Sequence, residues 1–134
     1  MTEGWIDNVY IAMYEPGEAE SFERACKFDS LLPGYSIVGL CGWQDFIVTD
    51  STGSAFIVPT VPLEAEYLEP FEIPVAGKLT PDNRLAGKVR WLVKPLVFGG
   101  SPDQQDNVAW ISHQQHAELV GWWNDQYRAA KAKN

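Results

Sequence analysis

Ser112 and Gln115 stand three residues apart just ahead of an apolar stripe, and this pairing constrains the chain more than any other feature. A serine hydroxyl that accepts from the third helical N–H, with a glutamine reaching back to the serine's own N–H, is a reciprocal capping box. It predicts a closing helix on which His116, Leu119, Val120, Trp123 and Tyr127 recur at helical spacing along one face. Such a face must be covered, and the chain before it offers mainly short β-rich runs to do so.

Two of those runs, Asp45–Thr49 and residues 54–58, are joined by Asp50-Ser51-Thr52-Gly53, where Gly53 is placed to supply the positive φ of a hairpin turn. Residues 5–14 read as one strand stopped by Glu15-Pro16-Gly17. Residues 35–40 and 108–111 read as further strands, with Gly39 and Gly42 marking a turn or bulge around Cys41. In 88–93, Val89, Trp91 and Val93 alternate with Lys88, Arg90 and Leu92, which predicts a strand with one buried face. Residues 18–28 space Ala19, Phe22 and Ala25 or Cys26 as an amphipathic helix. Residues 63–71 fit a short helix or turn, and 73–86 an irregular connection. The expected fold class is α+β, a mainly antiparallel sheet flanked by an N-terminal amphipathic helix and a C-terminal helix. At 134 residues and 46% apolar, residues 1–134 form a single domain with one real core.

The net charge of −8 argues against nucleic acid or anionic lipid as the main partner, because their phosphates would repel it. The charge is also uneven. Residues 1–75 carry 13 Asp and Glu against 2 Lys and Arg, whereas residues 76–134 carry 5 against 8. A basic protein partner fits the acidic half. Cys26 and Cys41, in a chain without a secretory signal pattern, point to free thiols and a cytoplasmic location. The uncharged stretch 31–44 is interrupted by Pro33, Gly34, Gly39 and Gly42, so no membrane segment is expected.

Motifs that would carry catalysis are weak. His113 and His116 with Asp103 and Asp106 could share a metal, but no HExxH or CxxC pattern supports it, and the expectation is a solvated His113 and a half-buried His116. Asp50-Ser51-Thr52-Gly53-Ser54 departs from an aspartic protease motif and reads as a turn. No serine sits in a G-x-S-x-G elbow, Glu23 would raise the Cys26 pKa, and Gly99-Gly100 lacks the Lys-Ser/Thr ending of a phosphate loop. No catalytic residue, metal or cofactor is therefore assigned. The set that stands out is acidic and aromatic: Glu64, Glu66, Glu69 and Glu72 interleaved with Tyr67, Leu68 and Phe71. Carboxylates steer a basic partner while aromatics supply contact energy, so Glu64, Glu66, Tyr67, Glu69 and Phe71 are the candidate partner-binding residues, with Trp122 as an anchor if exposed.

Leu32-Pro33-Gly34-Tyr35, the hairpin over 45–58, the chain length and the closing aromatic helix together resemble the SMI1/KNR4-like (SUKH) superfamily of small α+β domains. The resemblance implies a non-enzymatic interaction domain, and in its specific form a bacterial immunity protein that neutralises a basic, nuclease-type toxin by direct binding. Two other readings stay open: a small-molecule-binding or hydrolytic domain with a pocket lined by tryptophans and the 99–107 loop, and an assembly protein of a phage or secretion particle.

A core of this size should fold without metal or disulfide. Neither chelator nor reductant should move the thermal unfolding midpoint, and a fall of several degrees with either would contradict this.

Overall fold

The computed structural model describes residues 1–133. Its architecture is α+β: a six-stranded antiparallel sheet, a separate two-stranded antiparallel sheet, and helices packed on one side. The large sheet is a meander in which each strand pairs with the next, β1 (Thr2–Ile6), β2 (Val9–Met13), β3 (Ser36–Cys41), β4 (Asp45–Thr49), β5 (Ala55–Pro59) and β6 (Glu69–Pro70). The small sheet pairs β7 (Lys88–Leu92) with β8 (Val108–Ser112).

The single strand expected over 5–14 is two strands. Asp7 takes a φ of 53°, a left-handed conformation that Asp tolerates better than most residues, and the chain folds back so that Ile6 faces Val9. The first helix also differs from expectation. α1 (Pro16–Cys26) starts earlier than residue 18, because Pro16 suits a first helical position and the Glu15 and Glu18 carboxylates cap the end reciprocally. It stops at Lys27, whose φ of 56° turns the chain into the short α2 (Phe28–Leu31).

Strand β4 shows how the sheet buries both faces. Phe46 and Val48 join Ile37, Leu40 and Val58 in the main core under the helices, while Ile47 between them joins Ile11 and Leu79 on the back. The turn expected around Cys41 follows it at residues 42–44, where Gly42 takes a φ of 60°, and a bulge lies at Val38, where the β3–β4 register shifts between Ile37 and Gly39. Gly39 is obligatory because a β-carbon there would lie 2.2 Å from the Ala12 carbonyl oxygen of the neighbouring strand.

The back face is covered by the connection that the sequence left irregular. β6 lies at one edge of the sheet and β1 at the other, so the five interstrand steps between them span about 24 Å at ~4.8 Å each. The eleven residues from Pro70 to Thr80, ten steps of the chain, reach ~33 Å when extended, enough to cross with a little slack. This strap lays Phe71 and Leu79 on the back cluster, then exchanges backbone hydrogen bonds of 2.8 Å in both directions between Thr80 and Trp5. Beyond it, Trp5 Nε1 donates to Asp82 at 3.1 Å and the Gly87 amide donates to Glu3 at 3.0 Å, which laces the β1 edge closed.

α3 (His113–Ala132) begins at the capping box read from the sequence, Ser112 accepting from the Gln115 amide at 3.1 Å and Gln115 accepting from the Ser112 amide at 3.0 Å. Its inner face is rotated from the expected one. His113, His116, Ala117, Val120, Gly121 and Asn124 are buried, while Leu119, Trp123 and Tyr127 flank them half-buried. The reason is close approach of α1: a β-carbon on Gly121 would meet Cys26 Cα at 3.0 Å, so small residues turn inward and large ones move aside. In β7, Val89, Trp91 and Leu92 are buried, and Val93, expected inside, is 51% exposed because the strand has ended before it.

Both histidines are buried, against the expectation of a solvated and a half-buried one. His113 Nδ1 lies 2.7 Å from the Tyr14 hydroxyl, and the His116 ring sits edge-on between Phe46, at 5.7 Å, and Trp91, at 5.3 Å. His116 thus joins the helix to both sheets. Burial, and secondarily the His113 charge, pushes its pKa down from 6.5 to about 3. The unfolded chain binds this proton below pH 6.5 and the folded chain does not, so stability falls from there toward pH 3 by about 1.4 kcal/mol per unit for this group. The stability difference between wild type and His116→Gln, measured by denaturant unfolding, should therefore shrink along that slope. Parallel pH profiles would contradict it.

Candidate functional site

Where β4 begins, β5 ends and β6 begins, three short strands leave a corner. Asp45 stands opposite Pro59, and Glu69 stands opposite Ile57 on the other side of β5. Ile57 and Pro59 are two apart and so share a face. The corner is a recess of about 280 Å³ with Ile57, Val58 and Pro59 along β5 and Asp45, Glu66, Tyr67 and Glu69 around it. Burial raises the Asp45 pKa above the ordinary aspartate value, and the nearby Glu69 charge raises it further. Tyr67 is 43% exposed beside these carboxylates.

The segment that carries Glu66 and Tyr67 is held from the far side by one residue. Asn124, buried on α3, accepts from the Leu63 amide at 2.8 Å and donates to the Thr60 and Val120 carbonyls, each at 2.8 Å. Its amide replaces the backbone pairing that residues 60–63 lose on leaving β5, and sets them up for the single turn of 3-10 helix at Ala65–Tyr67. Asn124 is not among the residues that hydropathy selects. Its one sequence signal is an amide placed four residues after Val120, on the inward side of the helix.

A second recess, of about 230 Å³, adjoins the first and shares Asp45 and Pro59 with it. Its other walls are largely apolar: Trp43, Val61, Trp91, Leu92, Pro95 and Leu96, with Arg90 among them. Trp43 holds a φ of 60°, stacks on Tyr10 at 5.0 Å and meets Trp110 edge-on at 5.4 Å. Its indole nitrogen is buried without a hydrogen-bond partner. The Arg90 guanidinium donates to the Pro102 carbonyl at 3.1 Å.

The residues singled out from sequence do not all meet. Glu66, Tyr67 and Glu69 share the acidic recess. Glu64 turns away to α3, where its carboxylate pairs with Lys131 at 3.4 Å. Burial opposes its charge, yet hydrogen bonding to Tyr127 and to Glu66, together with the Lys131 charge, holds the Glu64 pKa below the ordinary glutamate value. Phe71 packs on the back of the sheet as part of the strap, and Glu72 is exposed beyond it. Trp122 is 52% exposed, but on a separate shallow concavity with Val93, Ile111, Leu119 and Trp123. Asp45 and Trp43 were missed, because each belongs locally to a strand end or a turn and gains its role only from the neighbouring strand.

Of the two cysteines, Cys26 is buried in the main core and Cys41 stands opposite Asp45 in the β3–β4 pairing. Burial pushes the Cys26 thiol up to about 12 and raises that of Cys41, and neither cysteine is in a disulfide. Asp50 accepts from the Thr52 amide and hydroxyl and from the Ser54 amide, which makes the Asp-Ser-Thr-Gly-Ser stretch the turn of the β4–β5 hairpin. Among the described residues, no group of three or more His, Cys, Asp or Glu side chains is arranged to hold a metal ion, and no helix is long and apolar enough to cross a membrane. No family model, curated protein or solved structure matches the chain.

Asn124→Ala should cost about 2–4 kcal/mol, since the Leu63 amide and Thr60 carbonyl lose their buried partner. It should also shift the NMR resonances of the Glu66 and Glu69 amides. A destabilised variant with those resonances unmoved would show that residues 60–63 do not shape the recess.

Proposed function

We propose that this chain is a non-enzymatic protein-interaction domain that binds a basic protein partner through the acidic recess. The carrying observation is that Asp45, Glu66 and Glu69 line one recess and take part in none of the ion pairs among the described residues, which are Met1 with Glu18, Arg84 with Asp82, and Lys131 with Glu64. Carboxylates gathered this way repel one another, and a cationic guest relieves that repulsion while a neutral one does not. In the specific form of this reading the chain works in the cytoplasm as an immunity protein that occludes a basic, nuclease-type toxin. The acidic first half of the chain and the resemblance to SUKH domains support that form.

A small-molecule or hydrolytic role has less support. The recess walled by Trp43 and Trp91, at about 230 Å³, is below the ~300–1,000 Å³ usual for ligand pockets, the wider concavity at Trp122 and Trp123, at about 620 Å³, has only Gln115 and Glu118 as polar side chains, and apart from Arg90's bond to Pro102 the 99–107 loop takes no part in the walls of either. The assembly-protein reading draws only on the separate concavity around Trp122.

Affinity capture from the cell that makes the protein tests the proposal. Immobilised wild type should retain a basic protein that elutes as salt rises, because exposed charges are screened over ~8 Å at physiological ionic strength. The Glu66→Lys/Glu69→Lys variant should associate with that purified protein at least about tenfold more slowly at low salt. Equal association rates for variant and wild type would overturn the acidic recess as the docking site.

A further inference from the structure

Resting on that reading, we infer that the partner presents a basic side chain beside a large apolar one, the first entering the acidic recess and the second the recess walled by Trp43, Val61 and Leu96. The two recesses share the cross-strand pair Asp45 and Pro59 and so adjoin there. Filling both at once calls for consecutive or alternate residues of an extended segment, ~4–7 Å apart.

The two hollows differ in chemistry. One gathers Asp45, Glu66 and Glu69, and burial already disfavours the charged form of Asp45, which a cation alongside would stabilise. The other, beyond the shared Asp45, offers Trp43, Val61, Trp91, Leu92, Pro95 and Leu96, apolar surface that gains contact energy from an aromatic or large aliphatic side chain. Leu96 is 52% exposed at its rim, apolar surface that such a guest would cover. One donor also borders it: Arg90, held in place by the Pro102 carbonyl and retaining further N–H groups for a guest's main-chain carbonyl.

Four capped tetrapeptides serve as probes: acetyl-Gly-Lys-Trp-Gly-amide and its Ser-Trp, Lys-Gly and Glu-Trp counterparts, titrated into the intact protein and followed by NMR. The Lys-Trp peptide should bind about tenfold tighter than either the Ser-Trp or the Lys-Gly peptide, and should shift the Trp43 indole and the Leu96 methyls together with the Glu69 amide. Asp45→Asn, with Glu69→Gln as a second charge-removing variant, should erase the advantage of Lys over Ser and keep that of Trp over Gly. Leu96→Ser should do the reverse. A Lys-Gly peptide that binds as well as Lys-Trp would overturn the paired arrangement and leave the basic-partner reading standing. A Ser-Trp or Glu-Trp peptide that binds as well as Lys-Trp would overturn both. Shifts confined to Trp122, or no binding by any of the four, would also overturn the inference.

Discussion

The Asn124 side chain is the point on which the candidate surface depends. A strand that ends inside a protein leaves its backbone groups without partners, and an unpaired buried amide or carbonyl costs about 1–3 kcal/mol. β5 ends at Pro59, and the chain must still pass under α3 before it reaches Glu66. Asn124 meets that need with one accepted and one donated hydrogen bond, and its second amide proton holds its own helix at Val120. No apolar residue could do this, so a polar side chain occupies the core side of α3.

The rest of the fold positions that contact. α3 can carry Asn124 to residues 60–63 only because its first turns are fixed against both sheets, with His116 between Phe46 and Trp91 and with Gly121 against Cys26 of α1. The opposite face of the large sheet is sealed by the strap from Pro70 to Thr80, where Gly4 permits the crossing: a β-carbon on it would lie 2.6 Å from the Thr80 carbonyl oxygen. β6, only two residues long, is where the strap departs, and that brevity opens the corner containing Asp45 and Glu69. The candidate recess is thus a product of strand length, since a longer β6 would have filled it with paired backbone.

In the proposed complex, charge and shape would divide the labour of recognition. The excess of acid in the first half would raise encounter with a basic partner over distances of a Debye length, whereas contact energy would come from the apolar walls beside Trp43 and Leu96. Not all of the acid contributes at short range. Glu64 is neutralised by Lys131, Asp82 by Arg84 and Glu18 by the N-terminal amine, and what is left near the recess is Asp45, Glu66 and Glu69.

Much of the architecture was legible in the sequence, because it rests on interactions between residues close along the chain. The Ser112–Gln115 cap, the Asp50–Gly53 turn with its flanking strands and the α+β class each follow from side chains within a few positions of one another. Local signals also placed Glu66, Tyr67 and Glu69 together. Other features lay beyond them: the turn at Asp7, the rotation of the α3 face toward α1, and the burial of both histidines depend on which distant element packs where. So does the site itself. Glu64 and Phe71 belong to the same acidic and aromatic run as Glu66, yet α3 claims one and the back of the sheet claims the other, while Asp45 and Trp43 join from strand and turn positions about twenty residues earlier. Sequence alone determined the elements and the sign of the charge; tertiary packing decided which carboxylates remain unpaired on one surface, because pairing and burial are set by neighbours in space and hydropathy reports only neighbours along the chain.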